Sequence, residues 1–197
     1  MKDAKRLANF LFEVGTMRKL LRIHRQTLLS DDISDNIASH SYRVAIIAWV
    51  IAKEEKADLY KTLLMALLHD LDEVRSNDHN YVQKRYVKIY KDEIRKEQFG
   101  TLPFSDFKEL ADEYEERNSL ESKIVKDADL MDQILLLREY EWQGNREAVI
   151  WLYGKGKETE NVQVKNLFLQ SSKKLAKAIY EVAPSEWWED IWTNKNR

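Results

Sequence analysis

Four side chains with an affinity for metal ions stand at wide spacing in this chain: His40, the adjacent pair His69-Asp70, and Asp129. Each lies in or beside an apolar stretch patterned like a helix. His40 precedes Val44, Ile47 and Ile51; His69-Asp70 closes the run Leu63-Leu64-Met65-Ala66-Leu67-Leu68; Asp129 follows Ile124-Val125 and leads into Ile134-Leu135. An imidazole or carboxylate near a core is costly unless it is paired or bound to a cation. Converging from three helices, two imidazoles and two carboxylates would form a mixed nitrogen and oxygen shell. Such a shell suits one divalent transition ion per chain (Mn²⁺, Co²⁺, Fe²⁺, Ni²⁺ or Zn²⁺) better than Mg²⁺, which prefers oxygen ligands. An open position on that ion would hold a water and lower its pKa, which is hydrolytic chemistry. Glu73 follows His69 by four residues, so on a continuing helix both project to one face. A carboxylate there can take a proton from water and return one to a leaving group. Asp72, one residue earlier, is expected at the surface.

The elements that must position these groups read as helices. Leu7, Leu11, Val14 and Leu21 predict a first helix through about residue 26. A polar connector, Ser30-Asp31-Asp32-Ile33-Ser34-Asp35, is rich in N-cap residues. A second helix is predicted over about 36–54, with Val44, Ile47, Ala48 and Ile51 on one buried face. A third covers about 57–74, and Ser76-Asn77-Asp78-His79-Asn80 reads as a loop. A charged helix carrying Tyr81, Tyr86, Ile89 and Ile94 ends near Phe99-Gly100, and Pro103 can open the next. Asn118-Ser119 begins a long helix to about residue 142, then come helices over about 145–153 and 160–182, with Gly154-Lys155-Gly156 between them. A last short helix starts at Pro184. No segment alternates as a strand does. The expected fold is all-α: one compact domain over residues 1–197, with a core over about 17–145 and a C-terminal helical extension over about 146–197.

Composition narrows the function classes. Apolar residues make up 44% and charged residues 34% of the 197, enough to bury a substantial core. Five glycines and two prolines fit few tight turns and long helices. A net charge of −2 gives no bulk attraction to a nucleic-acid polymer or an anionic membrane, so a small anionic substrate would need a local basic pocket. The absence of cysteine excludes disulfides and thiolate zinc sites and fits a cytoplasmic enzyme. No stretch is long and apolar enough to span a membrane, and the N-terminal apolar run is too short and interrupted for a secretory core.

The order His, His-Asp, Asp resembles the HD-domain phosphohydrolase superfamily, and the match extends beyond the four residues. Asp35-Asn36-Ile37-Ala38-Ser39-His40-Ser41-Tyr42-Arg43-Val44-Ala45 is similar to the first-histidine segment of the 5′-deoxynucleotidase branch. Leu67-Leu68-His69-Asp70, followed by Glu73 and Asp78, keeps that branch's spacing. Ser122-Lys123-Ile124-Val125-Lys126-Asp127-Ala128-Asp129, with Glu139-Tyr140-Glu141 ten residues on, completes it. The resemblance covers roughly residues 17 to 145 and implies an all-α HD bundle acting on phosphate esters, with His40, His69, Asp70 and Asp129 as metal ligands.

It further implies a homodimer that hydrolyses a small nucleotide, with Glu73 and Asp70 catalytic. Arg25, fifteen residues before His40, matches the arginine placed at the phosphate, with Arg22 and His24 as neighbouring alternatives. Asp78, His79, Asn80 and Tyr81 would line the substrate pocket. Two departures stand out. Asn77 replaces a glycine and the prolines of that loop are missing, although Asn tolerates positive φ. Gln26 stands where related bacterial enzymes carry the tryptophan that shapes the sugar pocket, which opens the question of deoxyribose selectivity. Arg43 reads as structural, paired with a buried carboxylate. Trp187, Trp188 and Trp192 read as core packing or a subunit contact, and Lys84-Arg85 and Lys173-Lys174 as solvated faces. The implied reaction is release of phosphate from nucleoside 5′-monophosphates. Its rivals are an HD phosphohydrolase acting on another phosphoester or a cyclic nucleotide, and a nucleotide-sensing module without turnover.

Overall fold

The computed structural model describes residues 3–155 and 162–191. Among them the chain is all-α, and its sole extended pairing is an isolated antiparallel bridge between Leu21 and Asn36. Eleven helices follow in order: α1 (Ala4–Val14), α2 (Arg25–Leu28), α3 (Ile37–Glu55), α4 (Leu59–Leu68), α5 (Glu73–Ser76), α6 (Lys91–Phe99), α7 (Asp106–Glu116), α8 (Leu120–Trp142), α9 (Arg146–Tyr153), α10 (Val162–Lys165) and α11 (Gln170–Glu181). Short 3₁₀ turns cover Gly15–Lys19, Gln83–Arg85 and Glu186–Ile191.

Helices α3, α4 and α8 form the centre, and their starts are set by side-chain caps. Asn36 accepts from the Ser39 amide (3.0 Å) while Ser39 Oγ accepts from the Asn36 amide (3.2 Å), a reciprocal box that fixes where α3 begins. Asp58 caps α4, Ser119 caps α8 and Asn145 caps α9, each side chain accepting from the backbone amide three residues on. The stripe Val44, Ala48 and Ile51 of α3 is at most 2% exposed and meets Ile124, Ala128 and Met131 of α8, all fully buried. Ala148 of α9, Leu152 of α9 and Ala176 of α11 enter this same core, so the C-terminal helices share it. A second cluster, Phe10, Ile37, Leu71 and Phe99, seats α1 and α6.

Three predicted helices are divided, and each division has a cause in long-range contacts. The first ends at Val14; Leu20 O accepts from the Ile37 amide (2.9 Å) and the Arg22 amide donates to Asp35 O (2.9 Å), so tertiary bonds hold residues 20–22 extended. The third ends at Leu68. Beyond it the chain tightens to three-residue bonds, Leu71 to Leu68 O (3.0 Å) and Glu73 to Asp70 O (3.1 Å), which turns Leu71 into the second core. The helix over 160–182 is interrupted at Phe168-Leu169, whose amides donate to the buried Asp127 carboxylate at 2.8 and 3.0 Å. The charged helix begins only at Lys91, and α7 starts at Asp106 rather than at Pro103. Trp187 and Trp188 are 73% and 42% exposed, so they are not core; Trp192 lies outside the described residues.

Candidate active site

His40 occupies the first turn of α3, buried beneath the capping box. Its Nδ1 lies 2.6 Å from Asp132 Oδ2 on α8, which turns Nε2 the other way. His69 follows the last turn of α4 and donates Nδ1–H to Ala66 O (2.7 Å), again leaving Nε2 free. The two Nε2 atoms are 3.3 Å apart. Asp70 Oδ2 stands 3.3 Å from His40 Nε2 and 3.2 Å from His69 Nε2, and Asp129 Oδ1 stands 3.4 Å from His40 Nε2. Lys126 occupies the other oxygen of Asp129 at 2.7 Å. Donors about 3.0–3.4 Å apart are what an ion about 2.0–2.2 Å from each ligand produces at angles of roughly 90–110°. The residues present therefore fit a divalent cation: ligand atoms of His40, His69 and Asp129 all lie within 4.8 Å of one another, Asp70 stands beside both imidazoles, and outer partners fix the tautomers.

The charge arrangement agrees. Burial and the nearby Arg22 oppose a proton on His40, yet Asp129, Asp132 and Asp70 hold its pKa well above the usual range. That proton must leave before Nε2 can bind a cation. Despite burial, the two imidazoles hold Asp70 well below the ordinary carboxylate range, and Lys126 with His40 does the same for Asp129.

Above these donors opens a cavity of about 580 Å³, within the size range of small-molecule sites. Asp70, Asp129, Glu73, Asp78, His79, Asn80 and Tyr81 all line it. Glu73 reaches it from the tightened turn and not from a continuous helix with His69. Its Oε2 is buried without a hydrogen-bond partner, and burial with the Asp70 and Asp78 charges pushes the carboxyl up to about 10. Asp78 Oδ2 accepts from the Ile23 amide (2.9 Å) and lies 3.6 Å from Arg22 Nε. Asn80 donates to Ile23 O (3.3 Å) and Gln26 Oε1 (2.9 Å) and caps the following turn, while His79 Nδ1 bonds Asn77 O (3.0 Å). Asn77 adopts φ 63°, so the turn keeps the backbone its missing glycine would supply.

Arg22 and Arg117 line this cavity and Arg25 does not. Arg25 donates to Ser30 O (3.3 Å) and faces Asp31 (3.8 Å), and the cavity wall does not include it. Arg22 is 6% exposed, sits on the wall, and has Nε and Nη1 without hydrogen-bond partners. The extended pairing of residues 20–22 with the segment before α3 decides the exchange, and a spacing count cannot see it. Asp72 is also corrected: it is 5% exposed and faces Lys91 at 3.5 Å, because the tight turn after Leu68 rotates it inward. Arg43 pairs with Asp132 (2.5 Å) and Glu139 (2.6 Å), the structural role read from sequence.

Asp132, Tyr114, Arg117, Lys126 and Trp151 were not singled out by the sequence reading. Asp132 carried one legible signal, its position three residues after Asp129 on the same helix. Tyr114 meets the His69 ring edge-on at 5.5 Å and carries the Arg117 guanidinium 3.3 Å over its face. Lys84 lines the cavity wall as well, so it is more than a solvated face.

Bundle and donor set define a protein class, and sequence comparison agrees: the profile of the family described as the HD domain matches residues 17–181. The chain belongs to the HD-domain family and is a phosphohydrolase. Among its relatives is human 5′-deoxynucleotidase HDDC2, 28% identical over 156 residues that make up 70% of each chain. The Bos taurus protein of the same name is 30% identical over 149 residues, 71% of this chain and 70% of its own. Of solved structures, the PH0347 protein of Pyrococcus horikoshii superposes with a TM-score of 0.70 at 28% identity, over 88% of this chain and 98% of that one. A predicted metal-dependent phosphohydrolase from Magnetospirillum magnetotacticum shares the fold, with a TM-score of 0.65 at 21% identity over 92% of this chain and 96% of its own.

Proposed function

We propose that this protein hydrolyses nucleoside 5′-monophosphates, with deoxynucleotides among them, to nucleoside and inorganic phosphate. The observation that carries the reading is one cavity lined by Asp70 and Asp129, which stand against the buried His40 and His69, together with a buried arginine whose N–H groups lack hydrogen-bond partners and the buried Glu73 carboxyl, whose Oε2 has none either. His40, His69, Asp70 and Asp129 would hold a divalent ion, whose chemistry there would be to activate a water and withdraw charge from the phosphorus. Arg22 offers Nε and Nη1 to the phosphate oxygens, replacing Arg25 in that role. Asp78 holds the backbone of Ile23 and the Arg22 guanidinium in place, so its contribution is to orient the phosphate anchor.

Glu73 holds the proton. Its buried Oε2 faces no competing protein partner, so it can protonate the departing nucleoside oxygen and accept a proton from the incoming water. No covalent phosphoenzyme is implied, because the nucleophile would be water. His79, Asn80 and Tyr81 lie along the same wall and face the nucleoside.

The test is phosphate release from a panel of deoxy- and ribonucleoside 5′-monophosphates, with protein stripped of metal and resupplied with Mn²⁺, Co²⁺ or Zn²⁺. Release that depends on added metal and is lost in Glu73→Gln supports the reading. Release from cyclic nucleotides or other phosphoesters but from no monophosphate refutes the substrate, and tight binding without release refutes turnover.

A further inference from the structure

The cavity has a second wall that the metal chemistry does not use. Trp151 of α9 meets the Tyr81 ring at 5.8 Å and 59°, and the His24 ring at 6.5 Å and 66°. Both neighbours approach edge-on or tilted, and no described ring stacks parallel on the indole. All three side chains line the same cavity as Asp70 and Asp129. His24 is 7% exposed, yet its Nε2 has no hydrogen-bond partner. An unpartnered buried nitrogen on a cavity wall costs stability unless a ligand satisfies it. Burial and the Arg22 charge bring His24 down to about 4, so its imidazole is neutral at physiological pH and presents one donor and one acceptor.

The position suits the far end of a nucleotide. On α8, Gln133 lies one turn beyond Asp129, about 6 Å along the axis. It accepts from Gln163 Nε2 at 2.7 Å, so an amide pair borders the cavity. With phosphate at Asp70, Asp129 and Arg22, the further lining residues His24, Trp151 and Gln133 are left for the remainder of the molecule.

We infer that His24, Tyr81 and Trp151 form a nucleobase subsite, in which the base lies against the Trp151 indole and His24 Nε2 satisfies a polar atom of the nucleoside. The subsite deepens the nucleotidase reading and rests on it for the phosphate end of the ligand. Stacking on an indole is tolerant of base identity, since every base has a π-face; base discrimination falls to the Gln133–Gln163 pair.

Binding measures the base directly. Metal-loaded full-length protein carrying Glu73→Gln, to suppress turnover, is titrated calorimetrically with 2′-deoxyadenosine 5′-monophosphate and with 2-deoxyribose 5-phosphate, which lacks the base. The nucleotide is expected to bind about 5- to 100-fold more tightly, and adding Trp151→Ala is expected to erase most of that ratio. Tyr81→Ala, at an exposed position that does not threaten folding, should reduce the ratio in part, and Trp151→Phe should retain it. Equal binding of the two ligands overturns the subsite, as does a ratio that survives both alanine variants with the helical circular dichroism intact. If no nucleoside monophosphate is turned over but the Trp151-dependent ratio is present, the nucleotidase reading fails and the subsite stands. If turnover is present with no ratio, the reverse holds.

Discussion

Replacing Asp132 by asparagine tests how the metal centre is built. The carboxylate is 2% exposed and accepts two bonds at once, from His40 Nδ1 at 2.6 Å and from Arg43 Nε at 2.5 Å. An amide has one acceptor oxygen, so one of these donors must face an N–H. The guanidinium is always charged and takes the oxygen. His40 Nδ1 then meets a donor and must become the acceptor, which moves the ring proton to Nε2, the atom directed at Asp70 and Asp129. Outer partners of metal-binding histidines are worth about 10- to 100-fold in affinity, or about 1.4–2.8 kcal/mol. Asp132→Asn is therefore expected to weaken Mn²⁺ or Co²⁺ binding by that factor in isothermal titration. Asp127→Asn is the control: it lies on the same helix and is equally buried, but its bonds go to the Phe168 and Leu169 amides, so it should lower the melting temperature with little change in metal affinity. An Asp132→Asn variant that folds and binds metal within twofold of the parent would refute the argument, as would equal losses in the two variants.

Other substitutions separate the remaining roles. Glu73→Gln should keep metal bound while phosphate release falls about 10²- to 10⁴-fold, the range for loss of a proton-transfer group; unchanged turnover removes Glu73 from the chemistry. Arg22→Gln should raise the KM for a nucleoside monophosphate at least tenfold, whereas Arg25→Gln should leave it within twofold, and the opposite pattern restores the sequence-based assignment. Burial raises Asp35 to about 6, with Asp132 adding to the shift and Arg22 opposing it. A carboxyl raised on folding binds more protons in the native state, so it costs stability as pH rises from about 4 through 6 and the cost is complete above that window. Asp35→Asn should accordingly gain up to about 2–3 kcal/mol over the parent at pH 7.5 and nothing at pH 3.5, read from urea denaturation; a gain independent of pH contradicts this origin. Removing metal with a chelator should lower the melting temperature by an amount that depends on the metal concentration present beforehand, and a shift insensitive to it would argue against a native-state site.

The all-α class and the three site-bearing segments were legible because they rest on local information. Apolar spacing marks the buried faces of α3 and α8, and short polar residues such as Asn36 and Ser119 satisfy helix ends wherever they fall. The candidate metal donors were legible for a related reason: side chains that are costly near a core stand out against an apolar run, and three of them, His40, His69 and Asp129, do stand together.

Tertiary structure alone decided where the chain leaves a helix and which groups meet across it. Arg22 lines the cavity because residues 20–22 pair with the segment before α3, whereas Arg25, three residues on, opens α2 and donates to Ser30 O away from it. Asp72 turned inward because the bonds after Leu68 tighten from four residues to three. Asp127 broke a predicted helix about forty residues away by accepting two of its amides, and Trp151 of α9 met His24, the residue before α2. Each of these depends on a partner distant in sequence, and the energies of such contacts exceed the fractions of a kcal/mol by which local propensities favour one conformation over another. The sequence by itself determined which chemistry this protein holds; the packing of distant segments determined which arginine, which carboxylate and which aromatic ring stand beside it.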